Sequence, residues 1–373
     1  MSDPSPDETA AMREALALAQ RGRGLVEPNP RVGAVALRGG AVVGRGYHGY
    51  YGGPHAEVMA LRDAAATGAI PDALVVTLEP CSSAAGFGGK KTPPCTDAIL
   101  AAGVPRVVFG ASDPDPRHTG RAKAALEAEG VAVHSGVLAD ECTRINQPFH
   151  RWLSMAVPWV IAKWAMTLDG KTASRSGDSR WISGEASRRR VHEVRAQVDA
   201  VLVGYRTAVL DDPELTVRHV AGDNPIRVVV DPLAALPLSS KLVQTAVQTP
   251  TWVLVGPDAD TAAVDQLAAR GVSVLPCAGG GRQIDVVDGL TRLRAAGIRR
   301  VLMEGGGRLT ADLLARGCVH QVMAFVAPKV IGGADASTPV GGVGLAEMIG
   351  AWQFGEVFTE MIEDDIVVHA FAT

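Results

Sequence analysis

Apolar and polar positions along the chain change period repeatedly, and the changes mark out elements. From Pro6 to Arg21 the apolar residues Met12, Ala15, Leu16 and Ala19 recur at helical spacing, and Asp7 or Thr9 stands where a cap belongs. A loop with the sequence Glu27-Pro28-Asn29-Pro30 follows. Val32–Leu37 and Ala41–Gly46 then flank Gly39-Gly40, which predicts a β-hairpin. The pattern next alternates: helix His55–Ala66, strand Leu74–Leu78, a Gly/Ser loop to Pro94, and a helix to Ala102. Strand Arg106–Gly110, helix Arg121–Glu129 and strand Val131–His134 complete the run. Alternation of this kind predicts an α/β/α layered domain with a mostly parallel sheet.

A helix from Asp140 and an aromatic-containing connection to Pro158 separate this run from a second one. The boundary reads near Phe149, giving domains 1–149 and 150–373. In the second run, strands are predicted at Trp159–Trp164, Ala200–Val203, Ile226–Val230, Trp252–Val255, Val272–Leu275, Arg300–Met303, Val319–Phe325 and Ile366–Phe371, with helices between several of them. No short-period repeat is present, and the two halves do not resemble one another.

Length supports two domains: 373 residues exceed one ordinary core. An apolar share of 47% with 20% charged residues reads as globular, and the few aromatics (5%) suit closely packed layers of small residues. Net charge is −4 with no sustained basic stripe, which argues against a nucleic-acid partner. The runs Arg188-Arg189-Arg190 and Arg292 to Arg300 fall in helical patterns, and most of these arginines read as solvated faces. Five cysteines form no disulfide framework, the acidic N-terminus lacks the apolar stretch of a signal peptide, and no window approaches the roughly 18 apolar residues of a membrane span. The expected setting is cytoplasmic and reducing, away from membranes. The expected partners are a small nucleotide-like substrate and further copies of the chain in a homo-oligomer.

Candidate chemistry concentrates at His55-Ala56-Glu57, Pro80-Cys81 and Cys95. One imidazole and two thiolates suit Zn²⁺ and leave a fourth position for water. A metal lowers the pKa of that water, and Glu57, two residues from His55, is placed to shuttle its proton. A purely structural zinc site would want a fourth protein ligand, and none stands nearby. In the second half, Glu304-Gly305-Gly306-Gly307 between a strand and a helix suits backbone approach to a phosphate, though it is not the six-residue dinucleotide fingerprint.

The segments Pro28-Asn29-Pro30-Arg31-Val32-Gly33, Gly46-Tyr47-His48, Pro54-His55-Ala56-Glu57, Thr77-Leu78-Glu79-Pro80-Cys81-Ser82 and Thr92-Pro93-Pro94-Cys95-Thr96-Asp97 resemble the bifunctional deaminase/reductase family of riboflavin biosynthesis (RibD type). Other cytidine and tRNA-adenosine deaminases keep two residues between the cysteines; here there are thirteen. The later segments Lys163–Lys171, Ser179-Arg180-Trp181-Ile182-Ser183, Thr207 with Asp211-Asp212-Pro213, Leu215-Thr216-Val217-Arg218, Met303–Gly306 and Ala327-Pro328-Lys329 resemble the same family's reductase domain, in the family's order.

The resemblance implies a cytidine-deaminase-like α/β/α sandwich followed by a dihydrofolate-reductase-like α/β domain that uses NADPH. It implies hydrolytic deamination of 2,5-diamino-6-ribosylamino-4(3H)-pyrimidinone 5′-phosphate, then reduction of the ribose chain of the product. It assigns His55, Cys81 and Cys95 to zinc, Glu57 to proton transfer, and Asn29, His48, Lys91 and Thr92 to the first substrate. Lys163, Ser179, Arg195, Leu215, Arg218 and Glu304 go to the second substrate, and Trp181, Ser183, Thr207, Asp211, Gly305 and Gly306 to the cofactor. Two departures stand out. The loop after Cys81 is five residues longer than the family's usual one and lacks its histidine, and a family serine near the cofactor is Pro232. The alternatives are a paralogue of a specialised pathway, a nucleic-acid base editor, and a non-catalytic zinc scaffold.

Overall fold

The computed structural model describes residues 4–82, 93–116 and 118–372. The chain divides into two compact units, Met1–Met155 and Ala156–Thr373.

The first unit runs α1 (Pro6–Ala19), β1 (Gly33–Arg38), β2 (Ala41–Tyr47), α2 (Ala56–Ala66), β3 (Ala73–Leu78), α3 (Cys95–Ala101), β4 (Arg106–Ala111), α4 (Arg121–Ala128), β5 (Ala132–Ser135), α5 (Ala139–Arg144) and α6 (Gln147–Leu153). Phe149, where the sequence boundary was read, falls inside α6. That helix stays with the first unit because Asn146, its N-cap, is hydrogen-bonded to Arg31 and Cys142. The cap of α1 is neither Asp7 nor Thr9 but Ser5. Its hydroxyl accepts from the Glu8 backbone while Glu8 reaches back to the Ser5 N–H, and Pro6 fills the first helical position, where no donor is needed.

The five strands lie in the order β2-β1-β3-β4-β5. The hairpin pair and β1–β3 are antiparallel, and β3–β4–β5 are parallel. Ala34, Val35, Val75, Val76, Val107 and Val108 are fully buried at its centre. Burial on both sheet faces explains why β3 is apolar at every position but Thr77, whose hydroxyl accepts from the Gly33 N–H. Two glycines of β2 set the height of α2 above the sheet. A Cβ on Gly44 would stand 2.3 Å from the Ala60 carbonyl oxygen, and one on Gly46 2.2 Å from that of Ala56. Only glycine admits so close a helix, and that helix carries the first chemical motif.

The second unit contains β6 (Trp159–Thr167), α7 (Glu185–Arg195), β7 (Ala200–Gly204), α8 (Tyr205–Asp211), β8 (Ile226–Val230), α9 (Lys241–Gln244), β9 (Thr251–Val255), α10 (Thr261–Ala269) and β10 (Ser273–Pro276). It continues through β11 (Gly279–Gly280), β12 (Gln283–Ile284), α11 (Val286–Ala295), β13 (Arg300–Met303), α12 (Gly307–Ala315), β14 (Gln321–Ala327), β15 (Phe354–Ile362) and β16 (Asp365–Ala372). Nine strands form one sheet in the order β10-β9-β8-β7-β13-β6-β14-β16-β15. It is parallel from β10 to β14, with β16 and β15 added antiparallel.

Edge strand β15 has no counterpart in the sequence reading. Its half-buried positions hold Phe354, Glu356, Phe358 and Glu360, and its exposed ones include Val357 and Met361, so apolar residues fall on both faces and the period-2 signal is lost. In the arginine runs, Arg189 on α7 and Arg292 on α11 are exposed on helices as expected, while two others differ. Arg300 is 1% exposed on β13, and Arg188 reaches back from α7 to the preceding loop, so neither belongs to a solvated helix face.

Candidate active sites

In the first unit, the chemistry sits where helices begin and a strand ends. His55 is the N-cap of α2, Cys95 is the first residue of α3, and Cys81 lies three residues past β3. The backbone fastens the two cysteines together: the N–H groups of Cys95 and Thr96 donate to the Cys81 carbonyl, and the Cys95 N–H lies 3.3 Å from Cys81 Sγ. His55 Nδ1 is 3.2 Å from Cys95 Sγ and 3.4 Å from Cys81 Sγ, and all three donor atoms lie within 4.8 Å of one another. Zn–N and Zn–S bonds at a tetrahedral angle put such atoms about 3.6 Å apart, so the trio fits a zinc ion with one open position. Among the described residues this is the one cluster of metal-ligating groups.

Glu57 is 3% exposed and in hydrogen-bond contact with Cys95. Burial pushes its carboxyl above the ordinary range, against the pull of His55 and with a push from Cys81. His48, also buried, stands edge-on to His55 with ring centroids 5.3 Å apart. Its Nδ1 is 2.9 Å from the Pro54 carbonyl, which only accepts, so the proton of the neutral ring sits on Nδ1. Nε2 is then the acceptor for Asn29 Nδ2, 3.4 Å away, and Asn29 keeps its Oδ1 as an acceptor. Lys91 and Thr92 lie outside the described residues.

The second unit builds its site from charges. Glu304 follows β13 and meets Arg195, from the end of α7, in a two-pronged pair: Nε–Oε1 at 2.6 Å and a second guanidinium nitrogen to Oε2 at 3.0 Å. Lys163 of β6 approaches the same carboxylate at 3.8 Å and sits over the Phe325 ring. Burial alone would raise the Glu304 pKa, but Arg195 and Lys163 outweigh it and hold it at about 2. Burial pulls the Lys163 ammonium below its ordinary value, Glu304 opposing and Arg195 assisting. Arg195 also donates to the Thr216 carbonyl at 3.1 Å, which brings the 214–218 loop to the cluster.

In that loop Leu215 takes a left-handed conformation (φ 52°) with its side chain buried, so it has only backbone to offer a ligand. The Arg218 guanidinium is exposed and paired with Glu214 at 2.8 Å. The Arg218 N–H donates to His192 Nδ1 at 3.1 Å. Burial, with Arg195, Arg218 and His219 nearby, depresses His192 to about 4. His192 is absent from the sequence-based set, although its spacing from Arg195 on one helix face was a usable signal.

The loop before α7 carries Ser179, Trp181 and Ser183. Lys329 Nζ donates to the carbonyls of Trp181 and Ile182, both at 2.7 Å, Arg188 donates to the Ser183 carbonyl at 2.7 Å, and the Arg188 guanidinium lies 4.5 Å from the Trp181 ring centre. Trp181 is 64% exposed, and Ser179 is exposed as well. Asp211 ends α8; burial raises its pKa and Arg180 opposes. Gly305 and Gly306 lead into α12, where a Cβ on Gly306 would meet Thr207 Oγ1 at 3.3 Å and one on Gly307 the Gly341 nitrogen at 2.8 Å. The Gly341 backbone packs on Gly307, while the Gly306 N-cap, with no side-chain cap and Thr207 beside it, has the chemistry to meet an anionic group such as diphosphate.

Residues 5–111 match the model of the cytidine and deoxycytidylate deaminase zinc-binding region, and residues 158–368 match the RibD C-terminal domain. The chain is 38% identical to the riboflavin biosynthesis protein RibD of Actinobacillus pleuropneumoniae over 96% of its own length and 93% of that protein's. It is also 38% identical to RibD of Aquifex aeolicus, covering 96% of each. Among solved structures, Acinetobacter baumannii RibD superposes with TM-score 0.71 at 32% identity over 98% of this chain and 99% of that one. The Thermotoga maritima diaminohydroxyphosphoribosylaminopyrimidine deaminase/5-amino-6-(5-phosphoribosylamino)uracil reductase gives 0.69 at 32% identity with the same coverage. With a zinc-ligand trio in the first unit, a Lys–Glu–Arg cluster in the second, and relatives matched over nearly its full length, the chain belongs to the RibD family of bifunctional riboflavin-biosynthesis deaminase/reductases.

Proposed function

We propose that the first unit hydrolytically deaminates 2,5-diamino-6-ribosylamino-4(3H)-pyrimidinone 5′-phosphate and that the second reduces the ribose chain of the resulting 5-amino-6-(5-phosphoribosylamino)uracil. The observation that carries the first step is the His55–Cys81–Cys95 trio with the buried Glu57 carboxyl against it. When bound there, zinc supplies a Lewis acid that makes hydroxide available from water at neutral pH. Glu57 would take one proton from that water and pass it to the ring nitrogen, then take the second from the hydroxyl added to the ring carbon and pass it to the amino group, which leaves as ammonia. Asn29 Oδ1 accepts from an amino group of the pyrimidine, with His48 holding the amide in that orientation. Lys91 and Thr92 are assigned to the same substrate by family likeness.

In the second unit, NADPH supplies the hydride when bound. Trp181, Ser183, Thr207, Asp211, Gly305 and Gly306 are proposed to hold it. Lys163, its ammonium made more acidic by burial, gives the proton that balances hydride arrival at C1′ of the opened ribose. Glu304 and Arg195 fix Lys163 and the sugar, Ser179 and the Leu215 backbone border the substrate, and Arg218 meets its phosphate. We also place the protein in the cytoplasm as a homo-oligomer. Five cysteines that form no disulfide among the described residues support the first statement, and the exposed Val357 and Met361 on edge strand β15 support the second.

The test is a coupled assay on zinc-replete protein with the diaminopyrimidine ribotide and NADPH, following ammonia and NADPH separately. Glu57→Gln should abolish ammonia release yet still reduce the deaminated ribotide. NADPH loss only when that deaminated ribotide is supplied would mean the first unit acts on something else.

A further inference from the structure

The loop that presents Asn29 is braced in a way no ligand contact requires. Glu27 and Arg31 pair at 2.7 Å across Pro28-Asn29-Pro30, with their side chains only 2% and 3% exposed. The far end of the loop is clamped a second time. Asn146 Oδ1 accepts from the Arg31 N–H at 2.7 Å, and Asn146 Nδ2 donates to the Arg31 carbonyl at 3.1 Å and the Cys142 carbonyl at 3.4 Å. One side-chain amide thus holds both backbone groups of Arg31, as a neighbouring strand would. Within the loop the Asn29 N–H donates to the Val26 carbonyl. Just past it, the Val32 carbonyl accepts from the His48 N–H at 2.9 Å.

An ion pair taken out of water is costly, and an apolar pair of similar size would serve stability at least as well. What it does supply is a fixed length and direction across the three residues it brackets. The path from the pair to the metal ligands is short. Asn29 meets His48 Nε2 at 3.4 Å, His48 Nδ1 meets the Pro54 carbonyl at 2.9 Å, and Pro54 immediately precedes His55. We propose that Glu27, Arg31 and Asn146 are positioning residues for deamination, which set where Asn29 stands over the pyrimidine without touching it. This rests on the reading that Asn29 contacts that ring.

The experiment compares four variants of the full-length, zinc-loaded enzyme: Asn29→Ala, the apolar double replacement Glu27→Met with Arg31→Met, Asn146→Ala, and the triple combination of the double replacement with Asn29→Ala. The readouts are deamination kcat/KM, zinc content and a melt of the first unit, which report its folding, and reduction of the deaminated ribotide, which reports the second unit. A displacement near 1 Å costs on the order of 100-fold in a positioned reaction, so the double replacement and Asn146→Ala should each lose ~10- to 100-fold in deamination, with zinc and reduction unchanged. The triple variant should lose no more than Asn29→Ala alone, because the brace acts only through Asn29. Losses that simply add, or losses within twofold for both brace variants while Asn29→Ala is crippled, overturn the inference. Should the double replacement fail to bind zinc, Asn146→Ala and its combination with Asn29→Ala decide the matter by the same additivity. An Asn29→Ala enzyme with normal deamination instead overturns the underlying reading of the site.

Discussion

The two candidate sites are built on opposite plans. The first gathers one imidazole, two sulfurs and one carboxyl at helix starts and a strand end, within 41 residues of sequence from His55 to Cys95. The second gathers Lys163, Arg195 and Glu304 from β6, α7 and the end of β13, which are remote in sequence and adjacent only because the sheet order places β13 beside β6. The first needs an added ion to become reactive. The second sets two cations about one buried carboxylate, and Glu304 favours the charged forms of both Arg195 and Lys163. Removal of a part should therefore act differently in each: loss of chemistry with little loss of structure in the first, loss of both in the second.

Stripping the metal with a chelator is the largest expected effect. Deamination should fall by at least about a thousandfold while reduction by the same sample persists, and readdition of Zn²⁺ should restore it. Parallel loss of both activities would break the separation of the two sites. Glu304→Gln should follow, with reduction about 100-fold slower. Because Arg195 and Lys163 then remain buried without their carboxylate, the second unit should lose about 3 kcal/mol in a two-transition melt, and deamination should stay intact.

Acid titration sharpens the contrast further. His192 is held at about 4 in the folded protein against an ordinary 6.5. The unfolded chain therefore takes up this proton first, and the stabilisation is complete above pH ~6.5 and lost as pH falls towards 4. A loss of roughly 2 kcal/mol in the second unit over that window is expected, and His192→Gln should flatten it. A denaturation series from pH 7 to 4 measures both. The smallest effect belongs to Lys329→Met, which frees the Trp181 and Ile182 carbonyls. NADPH affinity should weaken ~3- to 10-fold, read by titration of cofactor fluorescence, with deamination unchanged.

The first site was legible because its spacing carries the chemistry. His55 and Glu57 share one helix start, and the cysteines follow at a strand end and the next helix start. The alternation of helix and strand likewise predicted both α/β units. The charges of the second half were found through family likeness, since Lys163, Arg195 and Glu304 taken singly look like ordinary surface or turn residues. The sequence also offered no sign that Leu215 turns its side chain inward or that Lys329 and Arg188 hold the Trp181 loop, and of His192 only its spacing from Arg195. Edge strand β15 escaped because its apolar residues fall on both faces.

What the chain by itself determined is therefore local: element type from periodicity, and the zinc-type donor set from residue identity and order. What tertiary structure decided is which distant charges meet and which polar groups lose water. The Glu27–Arg31 pair, the Asn146 clamp and the Glu304 cluster all depend on burial, and burial belongs to the packed whole. A charge becomes costly, shifted or directional only once neighbouring elements have excluded solvent from it.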